Sequence, residues 1–145
     1  MMSKHTLALL QQIAHGIAVQ FGNNCEVLVH DLTADYTNSS IVIIENGTVT
    51  MRKIGDGPSH VVLEALHSDH KTLGDKLSYL TKTKDGRILK SSSMFIRGDD
   101  NSIEAVFSIN FDITSMQMAE NVLQQLISPI SAKNEPENIP QNVND

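Results

Sequence analysis

The feature that most restricts the fold of this chain is Lys82–Arg97, KTKDGRILKSSSMFIR, where a basic polar run reaches Asp85-Gly86 and then alternates apolar and hydroxyl side chains. An Asp-Gly pair flanked by alternating residues is the strongest short-range hairpin signal, because such turns need residues that accept positive φ. A second pair, Asn46-Gly47, lies upstream between SIVIIE and TVTMRK. Two hairpins with a short helical segment between them predict a small sensing module rather than an enzyme.

The remaining elements follow from periodicity. Leu7, Leu10, Ile13, Ala14, Ile17 and Phe21 recur at helical spacing, which predicts an amphipathic helix over residues 3–21 that Gly22-Asn23 ends. Cys25–Leu32 reads as a strand, and Ser39–Glu45 and Thr48–Ile54 flank Asn46-Gly47 as two strand segments. Gly55–Ser59 is a loop that ends in an N-cap, Ser59. The helix it starts runs to Ser68 and turns Val62, Leu63 and Leu66 inward. Leu77–Thr83, Arg87–Arg97 and Ile103–Asp112 form a three-stranded meander. In its last strand Ile103, Ala105, Phe107, Ile109 and Phe111 share one face. Thr114 or Ser115 caps a closing helix through Ile127 that carries Met116, Ala119, Val122, Leu123 and Leu126.

Composition removes several function classes. The 145 residues carry a net charge of −6, against the clustered basic charge that nucleic-acid binding requires. One cysteine, Cys25, excludes an internal disulfide. Neither a signal-peptide apolar region nor an apolar run near membrane-spanning length occurs, so the expectation is a cytoplasmic protein with no membrane partner. Residues 128–145 hold three prolines, four asparagines and no aromatic residue, a composition that cannot bury enough apolar surface to offset the entropy of ordering. The expected organisation is an N-terminal helix over 1–22, a sheet domain over 23–114, a C-terminal helix over 115–127 and a disordered linker or tail over 128–145.

This order of elements fits a PAS-like fold, and four stretches carry a closer likeness: FGNNCEVLVHDL at Phe21–Leu32, ENGTVTMRKIGD at Glu45–Asp56, TKTKDGRILKSSS at Thr81–Ser93, and SINFDIT at Ser108–Thr114. Together they resemble the YheO-like PAS domain of bacterial transcription regulators. The resemblance implies an α+β fold, a PAS-like five-stranded antiparallel sheet with flanking helices. It also implies the sensor half of a regulator whose DNA-binding helix-turn-helix lies in a C-terminal domain absent from this chain. Two departures stand out. Phe107-Ser108-Ile109-Asn110 replaces the family's Leu-Cys-Ile-Asn, and Gly57 is inserted before Pro58 in the Gly-Asp-Pro loop.

Five residues are candidates for binding a ligand: His30, Asp31, Arg52, Ser92 and Asn110. His30 and Asp31 end a strand and point to opposite faces, so one meets a pocket or a helix; a strand-end Asp also caps turns. Arg52-Lys53, with Arg97 and Asn110, form either a polar wall for an anion or a solvated sheet face. Ser91-Ser92-Ser93 alternate faces, so at least one hydroxyl points inward. His60, Glu64 and His67 share a helical face, with Asp69 and His70 close behind, but that face opposes Val62 and reads as solvated rather than metal-binding. Asn24-Cys25 is similar to the Asn-Cys pair of flavin-binding PAS domains, yet a strand follows it and aromatics to sandwich a flavin are few. Neither a cofactor nor a catalytic motif is expected. The expectation is a sensory module that takes a small metabolite and forms a homodimer through its first and closing helices. The alternative is a ligand-free interaction or dimerisation module.

Overall fold

The computed structural model describes residues 2–33, 40–57, 59–69, 71–130 and 135–142. Side chains 61, 65 and 66 are outside that description, so the inward place expected for Leu66 falls beyond it, as do Ser39, Pro58, His70 and part of the tail. The described residues fall into two compact units, Met1–Thr114 and Ser115–Asp145.

In the first unit, α1 (Lys4–Phe21) leads into five strands: β1 (Cys25–Asp31), β2 (Ile41–Glu45), β3 (Lys76–Lys82), β4 (Ile88–Arg97) and β5 (Ile103–Asp112), with α2 (His60–His67) between β2 and β3. All pairings are antiparallel, in the order β2-β1-β5-β4-β3. This is the five-stranded antiparallel sheet expected of a PAS-like fold. Ser3 caps α1 by accepting the Thr6 N–H, and Gly22, at φ 84°, ends it.

One sheet face packs on α1. Leu10, Ala14 and Ala18 meet Cys25, Val27, Val29, Ile43, Ala105 and Phe107 in the main core. The helix therefore approaches the sheet through alanines, and three expected core residues, Leu7, Ile13 and Phe21, are instead exposed, Phe21 at 59 %. On the other face, Leu32, Val62, Ile103 and Val106 form a smaller cluster. Ile103 was expected beside Ala105 and Phe107. Because Arg97 pairs with Ile103 while Ile96 pairs with Ala105, Glu104 is an extra residue, and this bulge turns Ile103 to the opposite face. Val62 is buried as expected, whereas Leu63 is exposed.

The Asp85-Gly86 hairpin forms. Thr83 and Arg87 close a loop in which Gly86 takes φ 91°, the left-handed conformation that lets β3 return as β4. The Asn46-Gly47 hairpin does not form, and Thr48–Ile54 is not a strand. Asn46 is left-handed at φ 54°, and Gly47–Val49 makes one 3-10 turn. The Asn46 side-chain amide donates to the Gly22 and Cys25 carbonyls, pinning the turn to the start of β1. Gly47 serves close approach rather than a reverse turn, since a Cβ there would lie 2.5 Å from the Arg52 carbonyl oxygen. Residues 48–54 then cross the open sheet face, and the chain meets β2 only at its start, where the Gly55 N–H and the Asp56 carbonyl bond Ile41.

The second unit holds all of α3 (Thr114–Ile127) but its first residue. The described tail residues carry neither helix nor strand. Among the described residues, no helix is long and apolar enough to cross a membrane.

Candidate functional site

The open face of the sheet is lined by polar residues where a core would ordinarily be apolar. Strand alternation sends Glu26, Leu28 and His30 of β1 to this face, with Val106, Ser108 and Asn110 of β5 and Leu89, Ser91 and Ser93 of β4. Tyr79 and Thr81 of β3 continue the surface. Above it lies a cleft of about 720 Å³, roofed by the segment after β2, where Thr50, Met51 and Arg52 line it, and bordered by Lys82, Lys84 and Arg87 near the hairpin. That size suits a small organic molecule.

Two hydrogen-bonded rows cross the floor. In the first, Thr81 Oγ1 lies 2.9 Å from Ser91 Oγ, Ser91 donates to Asn110 Oδ1 at 2.8 Å, and Asn110 donates to Glu26 Oε1 at 2.9 Å. The other Glu26 oxygen accepts the Thr50 N–H at 3.1 Å and its hydroxyl at 2.6 Å. Glu26 is fully buried, and burial raises its pKa, while the Thr50 and Asn110 hydrogen bonds and the Arg52 charge work the other way. In the second row, Tyr79 Oη lies 3.0 Å from Ser93 Oγ, which lies 3.4 Å from Ser108 Oγ. No carboxylate ends this row, so the geometry leaves the direction of its protons open.

His30 is fully buried at the cleft. Its Nδ1 is 2.6 Å from Ser40 Oγ, while its Nε2 has no hydrogen-bond partner among the described residues. Burial, reinforced by Arg52, lowers its pKa to about 4, so the ring is neutral near pH 7. An unpaired polar atom at such depth is costly unless something meets it. Ser40 is itself held at both ends: its carbonyl accepts the Asp31 N–H at 2.7 Å, and its N–H donates to the Asp56 carbonyl at 3.0 Å.

Of the five candidate residues, the structure brings His30, Arg52 and Asn110 to the cleft. Asp31 faces away and accepts the Thr33 N–H and hydroxyl, which is turn capping. Ser92 lies on the α1 side of β4, where its hydroxyl accepts the Ser78 N–H at a bulge in β3, so Ser91 and Ser93 supply the inward hydroxyls. Arg97 also stands apart, donating to the Asn101 and Leu73 carbonyls. His60 lines the cleft despite its solvent-facing assignment. Cys25 points into the α1 core, away from the cleft, and burial raises its thiol pKa. Glu26 was missed, although the alternation of Cys25–Asp31 places it on the same face as His30. Thr50 could not be found without its contact to Glu26.

A family model for the YheO-like PAS domain matches residues 1–128. The chain is 30 % identical over 105 residues to the uncharacterized protein YheO of Escherichia coli (strain K12), covering 71 % of this chain and 42 % of that protein. It is 29 % identical over 122 residues to the transcriptional regulator DauR of Pseudomonas aeruginosa, covering 81 % of this chain and 52 % of DauR. The chain thus spans about half the length of these relatives or less. Among solved structures, an RNA-binding Light-Oxygen-Voltage receptor matches with a TM-score of 0.46 and 17 % identity, over 82 % of this chain and 36 % of that one.

Proposed function

Because the chain belongs to the YheO-like PAS domain family, we propose that it is the sensory part of a cytoplasmic transcription regulator, and that a small metabolite bound in the cleft is its signal. DauR, a relative, is a transcriptional regulator. In this reading DNA is contacted by a helix-turn-helix outside the chain, and the chain itself performs no catalysis. The observation that carries the proposal is the orphaned Nε2 of the buried His30, which needs a partner that the described residues do not supply. His30, Arg52 and Asn110 are the proposed ligand contacts among the residues first singled out, joined by Ser93 and Ser108. A ligand changes output only by binding two conformations unequally. The site offers a route for that: His30 is linked through Ser40 to the segment that also carries Arg52. Thermal-shift screening with amino acids and small organic acids tests the reading. A reproducible rise in melting temperature is expected, and a flat response across the screen removes it.

A second reading, a dimerisation module, is favoured by apolar surface. On α1, Leu9, Ile13, Val19 and Phe21 are exposed. On α3, considered by itself, Met118, Leu123, Leu126 and Ile127 are exposed. Isolated apolar residues are common on surfaces, but two helices each presenting several invite self-association. Sedimentation equilibrium is expected to give a dimer, and a monomer at high micromolar concentration refutes that assignment.

A further inference from the structure

We propose that the cleft selects a small hydroxylated acid, one anionic group with neighbouring hydroxyls on a short carbon chain. The inference rests on the sensory reading above and narrows it to a chemical class.

The charge comes first. Arg52, Lys82 and Lys84 line the cleft, and none has an ion-pair partner among the described residues. Arg87 is already matched by Asp85 at 3.2 Å and Asp112 at 3.6 Å. The nearby Glu26 has both oxygens taken by the neutral donors Asn110 and Thr50 and offsets one positive charge, that of Arg52 foremost. Arg52, Lys82 and Lys84 against that one carboxylate leave the cleft positive among the described residues, in a chain whose net charge is −6. A guanidinium holds an oxyanion through two parallel hydrogen bonds, which singles out Arg52 as the anchor.

Hydroxyls are the second requirement. The Tyr79–Ser93–Ser108 row can donate or accept at each oxygen, so it matches ligand hydroxyls in either sense. His30 Nε2 is a donor in one neutral tautomer and an acceptor in the other. A ligand hydroxyl satisfies both, whereas a ketone oxygen satisfies only one. The remaining lining, including Leu28 and Leu89, accommodates a carbon skeleton.

A matched series on one polyol skeleton tests the class by isothermal titration at constant ionic strength: gluconate, sorbitol 6-phosphate, neutral sorbitol and cationic glucamine, with hexanoate as an acid lacking hydroxyls. Gluconate or the phosphate ester is expected to bind, and the stronger of the two identifies the anion. Sorbitol and hexanoate should each be at least about tenfold weaker, the loss of one charge-assisted or several neutral hydrogen bonds, and glucamine should not bind. Arg52→Gln should weaken the acid about ten- to a hundredfold, with circular dichroism showing that the variant is folded. Ser93→Ala should weaken gluconate and leave hexanoate unaffected. Equal binding of sorbitol, glucamine or hexanoate, indifference to Arg52→Gln, or silence of the whole series overturns the proposal. Neutral or basic hits in the broader screen, with the acids silent, remove this class and keep the sensory reading; silence in both removes the sensory reading as well.

Discussion

Asn110 donates its side-chain N–H to Glu26 Oε1 at 2.9 Å across the β1–β5 pairing, and this contact sets the polarity of the floor. A carboxylate only accepts, so Asn110 must turn its amide nitrogen toward Glu26 and its oxygen toward Ser91. Ser91 then spends its proton on Asn110 and accepts from Thr81. One buried glutamate thereby orders Thr50 on the segment after β2 and Asn110, Ser91 and Thr81 on three other strands.

Replacing that glutamate separates charge from hydrogen bonding. Glu26→Ala leaves the donors of Asn110 and Thr50 without acceptors and is expected to destabilise the fold by about 2–4 kcal/mol. Glu26→Gln keeps an acceptor for Thr50, and the row can invert by flipping Asn110, so a cost of about 1 kcal/mol or less is expected. Urea denaturation of the two variants checks the order, and equal losses contradict the account.

His30 makes stability depend on pH. Its folded pKa, about 4, lies below the ordinary 6.5, so the unfolded chain binds the extra proton between those values. Stability from this group is complete above pH 6.5 and is lost as pH falls toward 4, by about 2–3 kcal/mol. Glu26, with its pKa raised, acts in the opposite direction, since protonating it at lower pH relieves a burial penalty. Denaturation midpoints of wild type and His30→Gln across this window isolate the histidine. Their difference should shrink toward pH 4, and a constant difference refutes the assignment.

Two glycines should respond with opposite signs. Around Gly16, inside α1, a new Cβ meets nothing within 4 Å, so Gly16→Ala is expected to stabilise by about 0.5–1 kcal/mol. At Gly47 the Cβ would press on the Arg52 carbonyl oxygen and on Ile44, and Gly47→Ala should cost about 1–3 kcal/mol. Melting temperatures moving in the same direction for both would show that the 3-10 turn does not pack as described.

Phe107 tests the α1 side of the sheet. It is 3 % exposed in the main core, so Phe107→Ala is expected to cost about 3–5 kcal/mol. Phe21→Ala, at a largely exposed ring in edge contact with Phe111, should cost much less. Comparable losses in thermal denaturation would contradict the core assignment.

Sequence reasoning succeeded where local signals and tertiary structure agree. The Asp85-Gly86 hairpin is specified by its own loop, and β5 from Ala105 onward keeps strict alternation because both its neighbours are long strands. It failed where a distant partner decides. Thr48–Ile54 has strand composition, but Glu26 captures Thr50 and Asn46 is tied to β1, so the segment crosses the sheet instead. The bulge at Glu104 follows from pairing with β4, which no local pattern records. At the site, His30, Arg52 and Asn110 were legible as residue types suited to recognition, whereas Ser91 and Ser93 replaced Ser92 because register alone decides which serine of three turns inward.

Ser40 sits in a mechanically sensitive place. Its side chain holds the His30 imidazole while its backbone is stitched to β1 on one side and to Asp56 on the other. An imidazole that rotates to greet an incoming molecule must either release that hydroxyl or pull on both anchors together. On the sensory reading, a disturbance of that imidazole would therefore reach β1 and the Asp56 loop at the same moment.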